Sequence, residues 1–452
     1  MRRLLQNAVT QNHYESKTLT VTDLRIILYG AEASPRVPLS VAERVRFSAR
    51  RKLHGYRDTT HFRHDDISHL DYRNYEGRDT INLGDVAIHQ GTAALIKHAL
   101  PEASILPMSW GELGQYSVKT EDHQKTALVF NGSGYFHVDA NGRIATRIKD
   151  DLDALRRHEI PAFFFGVGLN RPGQMDLDAP VSLHPEDVAI ISQLLDYAQA
   201  VSVRDAGTQA ALAPLTSKPI HLIGDPALHF FHAMGMQTPA AKTPLANTPP
   251  VIGVNFSFHG EHSNALLKKN LEGYCAVLLR LQKETGAEFR YFIHYATSNI
   301  VPKLLAQRGI NVKKVGAGET ADIPLLAREY AKLDLHIGGM LHSCILATSA
   351  GTPCIALAYD IKHQGFFDLM GLPENCFLAA NFNPEALYLR AMDLLANPTP
   401  VRAHIATRRD QLEIETRAFL KTCLLRNASY LACTPASDSM LCDKTGQIMN
   451  AQ

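Results

Sequence analysis

Lys332 to Gly371 reads KLDLHIGGMLHSCILATSAGTPCIALAYDIKHQGFFDLMG, and this stretch decides the fold. Leu333 to Ile337 is a short apolar strand, Gly338-Gly339 is a turn, and His342 to Ala350 carries the small and apolar residues of a buried helix. Gly351 ends that helix, Pro353 follows it, and Cys354 to Tyr359 is a second apolar run of the kind covered on both faces in a parallel sheet. The unit is βαβ. In open parallel sheets, ligands collect beyond the carboxyl ends of the strands, where helix N-termini offer free N–H groups. The turn with Gly339, Met340, Leu341 and His342 lies there, as does the loop with Tyr359, Asp360, Lys362 and His363. The candidate active site is placed between them.

Upstream of this unit the same alternation restarts at Val251 to Asn255, with helices expected near 263–285, 301–308 and 323–332 and strands near 289–294 and 312–315. Residues 236–250, MQTPAAKTPLANTPP, read as a Pro-rich linker. Before it, Leu24 to Tyr29 is a buried strand, and NLGDVAIHQGTAALIKHAL from Asn82 is a helix that Pro101 stops. Asp85 near its start is either a cap or a carboxylate facing a ligand. Thr126 to Phe130 runs into Asn131-Gly132-Ser133-Gly134, Pro161 to Phe165 into Gly166-Val167-Gly168, and Ala200 to Val203 into Arg204-Asp205. Two doubly wound, Rossmann-like α/β domains facing a cleft are expected: 1–235 and 251–398, with helix 399–433 packing across both and a disordered tail at 434–452. Residues 31–80, crowded with Arg, His, Asp and Tyr, show no good strand or long helix and read as an insertion, either surface or lid.

Composition narrows the function classes. A chain of 452 residues, 45% hydrophobic and 20% charged, is long enough for two full cores. A net charge of +1 and a pI near 7.7 give no bulk reason to expect nucleic acid or an anionic membrane as partner. No stretch approaches the roughly 20 apolar residues of a membrane span, and MRRLLQNAVTQNHYES lacks the apolar core of a signal peptide, so a cytoplasmic protein is expected. The seven cysteines are scattered without a CxxC pair, and no His or Cys spacing suggests a metal site.

The ordered series NLGDVAI, FNGSG, FFFGVG, VSVRD, GDPALHF, IGVNFS and GGMLHSCILATSAGTPCIALAYDIKHQGFF resembles the polysaccharide pyruvyl transferase family over roughly residues 82 to 380. The resemblance implies a GT-B-like fold and transfer of the pyruvyl group of phosphoenolpyruvate to a sugar as a ketal, with release of phosphate. It implies phosphoenolpyruvate as co-substrate, no other cofactor, and a sugar, nucleotide-sugar or lipid-linked glycan as acceptor. His342 and Arg204 take the catalytic places, and Gly339, Met340, Leu341 and Lys362 the rest of the donor site. Asn82, Asp85, Gly132, Ser133, Gly134, Asn255, His294, Tyr359 and Asp360 are expected to line the cleft or the acceptor side, with His137, His259 and His262 as weaker candidates.

The family usually has an arginine where this chain has Met340, which offers no charge. Losing one charge-assisted contact to a phosphate or carboxylate costs about 1.5 to 3 kcal/mol, so either another cation substitutes, Lys362 or an arginine between Arg44 and Arg78, or the donor has changed. Two other readings leave the donor open: a glycosyltransferase of the same shape using a nucleotide sugar, and a non-catalytic binding protein.

Overall fold

The computed structural model describes residues 24–33, 39–61, 63, 66–77, 80–116, 126–139, 141–171, 183–237, 248–316 and 322–432, the side chains of 424–432 aside. In chain order the strands are β1 (Arg25–Gly30), β2 (Ser104–Ser109), β3 (Thr126–Asn131), β4 (Phe136–His137), β5 (Ala162–Val167), β6 (Leu169–Asn170), β7 (Ala200–Val203), β8 (Ile220–Leu222), β9 (Val251–Asn255), β10 (Glu288–Phe292), β11 (Val312–Val315), β12 (Leu335–Gly338), β13 (Cys354–Ala358) and β14 (Cys376–Leu378). Two six-stranded sheets result, ordered β2-β1-β3-β5-β7-β8 and β11-β10-β9-β12-β13-β14. All their strand pairs are parallel. The fold is thus the doubly wound pair expected.

In each sheet the strand order reverses once, between β1 and β3 in the first and between β9 and β12 in the second. A reversal sends the flanking connections to opposite faces and leaves a crevice at the strand ends. Asn131 ends β3 and Gly338 ends β12, so the turns from Gly132 and Gly339 open onto those two crevices.

Apolar runs build the cores. One face of the first sheet buries Ile27, Leu128, Phe130 and Phe164 against Leu152, Leu155, Leu194 and Leu195 of helices Arg147–His158 and Pro185–Tyr197. The other face packs on helix Leu83–Ala99 and on Phe419 and Leu420 of helix Pro398–Ala432. That last helix also grips the second domain. Arg402 donates to the carbonyls of Gly351 and Leu333 and Arg409 to that of Ser349, while Thr416 donates to the carbonyl of Ile223 in the first domain. Two of these bonds satisfy carbonyls at the end of helix Leu341–Ser349, which would otherwise lack partners.

Several expectations change. The 31–80 stretch contains a 20-residue helix, Val41–Thr60, opened by a capping box in which Ser40 and Glu43 exchange hydrogen bonds. It packs against the second domain: Gln307 donates to the carbonyl of Thr59, Lys268 to that of Ser68, and Tyr75 meets Phe258 edge to face at 5.9 Å. Lys362 and His363 lie not in a loop but in the first turn of helix Ile361–Met370, which Asp360 caps. Most of the expected linker, 238–247, the first 23 residues and the expected tail 434–452 fall outside the described residues. Among the described residues no helix is long and apolar enough to cross a membrane.

Candidate active site

Helix Leu341–Ser349 starts at the switch point of the second sheet because Asn255, at the end of β9, clamps the turn before it. The Asn255 carbonyl accepts from Gly339 N at 2.5 Å, its side-chain oxygen accepts from Met340 N at 3.0 Å, and its amide donates to the carbonyl of Phe292. His342 therefore projects from the first helical turn toward the other domain. Its ring lies against Gly84, where an added Cβ would sit 2.0 Å from the imidazole Nδ1. Helix Leu83–Ala99 can begin here only with glycine.

His342 Nε2 is 3.6 Å from Asp225 Oδ2, and Arg204 Nη1 is 3.9 Å from the same oxygen. Asp225 is almost wholly buried. Burial alone would raise its pKa, but the His342 interaction and the Arg204 charge outweigh it and hold the carboxyl below its ordinary range. Arg204 is 5% exposed, pairs through Nε with Asp205 at 3.3 Å, and leaves Nη2 buried without a hydrogen-bond partner. Its guanidinium occupies the space above Gly168, where an added Cβ would meet Nε at 2.2 Å. The Asp225 carboxylate thus lies between an imidazole and a guanidinium at one cavity wall, in ion-pair range of both, while its Oδ2 and His342 Nε2 make no hydrogen bond.

The cavity measures about 370 Å³ and is lined by Asn82, Asp85, Trp110, Ser133, Gly134, His137, Arg147, Asn170, Arg204, Tyr295, Met340, Leu341, His342, Tyr359 and Lys362. Arg147, the first residue of its helix, lies 4.1 Å over the ring of Trp110, donates through Nη2 to the carbonyl of Tyr135, and keeps a buried Nε without a partner. Lys362 Nζ is 3.6 Å from Asp360 Oδ2 and 5.1 Å from the Tyr359 ring centre. Burial would discharge this ammonium, but Tyr359 and Asp360 more than offset that and raise its pKa.

Asp85 lines the same cavity. Asn82, not Asp85, caps the helix by accepting from Gly84 N; Asp85 Oδ2 accepts from the Asn82 amide at 2.5 Å, and Oδ1 has no partner. Burial raises the Asp85 pKa against the opposing pull of His342 and Ser133, as suits a carboxyl that exchanges protons. Across the cavity the His137 pKa is lowered, first by burial and then by Arg147. Ser133, at the turn between them, holds a left-handed φ of +57°, a strained conformation for a side-chain-bearing residue.

Some expected cleft residues lie elsewhere. Asn255 positions the Gly339-Met340 turn from beneath, and Gly339 packs against Ser257 N, which an added Cβ would approach to 2.8 Å. Gly132 abuts Ile88 under helix Leu83–Ala99. His294 is wholly buried, with Nε2 2.7 Å from the Tyr330 hydroxyl, and burial pushes its pKa to about 3, so it offers no exposed base. Asp360 is a cap and the partner of Lys362. His259 stacks on Tyr295 at 4.0 Å, and His262 sits in the first turn of helix Glu261–Thr285.

Asp225, Arg147, Asn170, Trp110 and Tyr295 are in the site without having been singled out from sequence. Asp225 stood inside the GDPALHF motif. Arg147 carried no local signal, because it opens a helix in a polar stretch. Among the described residues of 31–80, no arginine lines this cavity; Arg50 and Arg73 line a neighbouring opening of about 700 Å³ that shares Asn82, Asp85 and Tyr295 with it. Among the described residues, no group of three His, Cys, Asp or Glu side chains is placed to hold a metal.

The family model for polysaccharide pyruvyl transferase matches residues 82–361. A comparison with curated proteins returns no match. Similar solved structures include the Anabaena protein HepE in complex with UDP (TM-score 0.41, 14% identity, 91% of this chain and 100% of that one) and MurG of Acinetobacter baumannii (0.41, 9%, 88% and 99%). UDP-GlcNAc 2-epimerase from Neisseria meningitidis is also similar (0.40, 12%, 88% and 99%).

Proposed function

The chain belongs to the polysaccharide pyruvyl transferase family, and on that premise we propose that it moves the pyruvyl group of phosphoenolpyruvate to two hydroxyls of a sugar, forming a ketal and releasing phosphate. The observation that carries the reading is a pair of buried guanidinium N–H groups, Arg204 Nη2 and Arg147 Nε, left without partners on the walls of the cavity that holds His342. Buried polar groups are rarely left unsatisfied, and a ligand bearing a carboxylate and a phosphate supplies what both lack. Lys362 adds a third positive charge. Arg147 and Lys362 together replace the arginine that the family carries at the position of Met340.

The reaction needs three proton transfers. As the first hydroxyl adds to C2 of the donor, its proton is lost to a base and a proton is delivered to the methylene carbon, which becomes the methyl group. The C2–O bond to phosphate then breaks, and the second hydroxyl closes the ketal as phosphate leaves with the balancing proton. His342, beside Asp225, is the group we assign to exchange the proton at the donor. Asp85, with its raised pKa and unpartnered Oδ1, is the base for the acceptor hydroxyl, and the opening it shares with Asn82 and Tyr295 admits the acceptor. Arg204 and Arg147 stabilise the charge on the departing phosphate.

Incubation with phosphoenolpyruvate and a panel of glycosides should release phosphate in proportion to ketal formed. His342→Ala should lower kcat by about a hundredfold or more. Turnover of a nucleotide sugar with no consumption of phosphoenolpyruvate would contradict the reading.

A further inference from the structure

Beyond Tyr295 lies a second cavity, about 430 Å³, between helix Val41–Thr60 and the carboxyl ends of β10 and β11. Its lining includes Arg51, Lys52, Lys303 and Lys314 and, among the described residues, no aspartate or glutamate. Arg51 donates to the carbonyl of Tyr75. Among the described residues, the ammoniums of Lys52, Lys303 and Lys314 meet no carboxylate within ion-pair distance. Other cations of the second domain do pair: Arg280 with Glu284 and Glu385, Arg308 with Glu272, and Arg390 with Glu374 and Asp393. Among the described residues, then, three lysines gather around one hollow with no acid in its lining, and their mutual repulsion is a cost.

Two details sharpen the point. Lys303 Nζ is held close over the helix, where an added Cβ on Gly55 would sit 3.2 Å from it. Lys314 has its pKa lowered first by burial and then by the charge of Lys303, so the two ammoniums repel across the space. The walls between them are apolar, from Ile81, Leu83, Ile293 and Ile300.

We propose that this cavity is an anion site for a phosphate or diphosphate ester, its charged group held by Lys52, Lys303 and Lys314 and its organic part lying on the apolar wall. Three ammoniums call for more than a single carboxylate, and the volume exceeds that of a bare phosphate. Because Tyr295 also lines the transfer cavity, the ester belongs to the acceptor sugar; this last step rests on the transferase reading, whereas the anion site does not.

The test is titration of inorganic pyrophosphate and of uridine diphosphate into the wild type, Lys303→Ala/Lys314→Ala, Arg204→Ala, and Lys313→Ala as a control on the same strand outside the cavity. Both probes should bind the wild type, Arg204→Ala and Lys313→Ala alike and bind the double lysine variant at least about tenfold more weakly. Phosphoenolpyruvate should show the reverse pattern, losing affinity only in Arg204→Ala. Equal binding of both probes to the wild type and the double variant overturns the site. A lysine-dependent response to pyrophosphate alone overturns the ester and leaves free anion as the ligand. Absence of phosphoenolpyruvate binding throughout, with lysine-dependent pyrophosphate binding intact, overturns the transferase reading and the assignment to the acceptor but not the anion site.

Discussion

At the scale of single residues, the proposed donor needs a cation in place of the arginine that the family carries at the position of Met340. Met340 lines the cavity but spends its backbone N–H on Asn255, and its side chain offers the donor no charge. Arg147 comes from a different domain and has an unpartnered Nε in the same space. Arg147→Ala should therefore weaken donor binding by roughly ten- to a hundredfold, with Arg147→Lys recovering part of it. Trp110, the chain's one tryptophan, lies under that guanidinium and should report the event: its fluorescence should change on adding phosphoenolpyruvate and not change in Arg147→Ala. The glycines make a second prediction. Gly168→Ala pushes into Arg204 and Gly84→Ala into His342, so either should cut turnover far more than it lowers the melting temperature; an unaltered kcat would contradict the placement of those side chains. From sequence, Arg204 and His342 were readable because they follow apolar strands, whereas Arg147 and Asp225 gain their meaning only from what the fold brings opposite them.

At the scale of elements, the buried strands and helices of both sheets follow from their apolar runs and glycine-bounded ends. The misses have physical reasons. Strand β2 contains Pro107, which reads as a breaker but is tolerated at the edge of the sheet, where β2 pairs only with β1. Helix Val41–Thr60 has only Gly55 and Asp58 buried, so it lacks an apolar stripe; its one legible signal was the Ser40-to-Glu43 capping spacing. Helix Ile361–Met370 was likewise announced by Asp360 before it and Gly371 after it. Since the capping box stabilises an element that roofs the lysine cavity, Ser40→Ala should lower stability by about 1 kcal/mol and leave phosphoenolpyruvate binding untouched, which denaturant titration and calorimetry would check in parallel.

For the whole molecule, the two domains share one closing element, helix Pro398–Ala432, and their interior buries His229, His294, His336 and His363. Burial is the first cause that pushes His229 and His363 down to about 4 and His294 and His336 to about 3. An unfolded chain takes up protons on these rings as pH falls below about 6.5, while the folded chain does not. Stability should thus be complete near neutrality and fall between about pH 6.5 and 4, by up to about 1.4 kcal/mol per pH unit for each ring. Denaturant midpoints measured at pH 7, 6 and 5 should decline together; a flat series would contradict the burial of neutral rings. The central claim, that the cavity between the domains is a donor site built from Arg204 and Arg147, is tested most directly by calorimetric titration of phosphoenolpyruvate into the wild type, Arg204→Ala and Arg147→Ala. Saturable binding to the wild type, at least about tenfold weaker in each variant, is the predicted result. No binding to the wild type at millimolar donor with or without sugar acceptors, or equal binding by all three proteins, would contradict it.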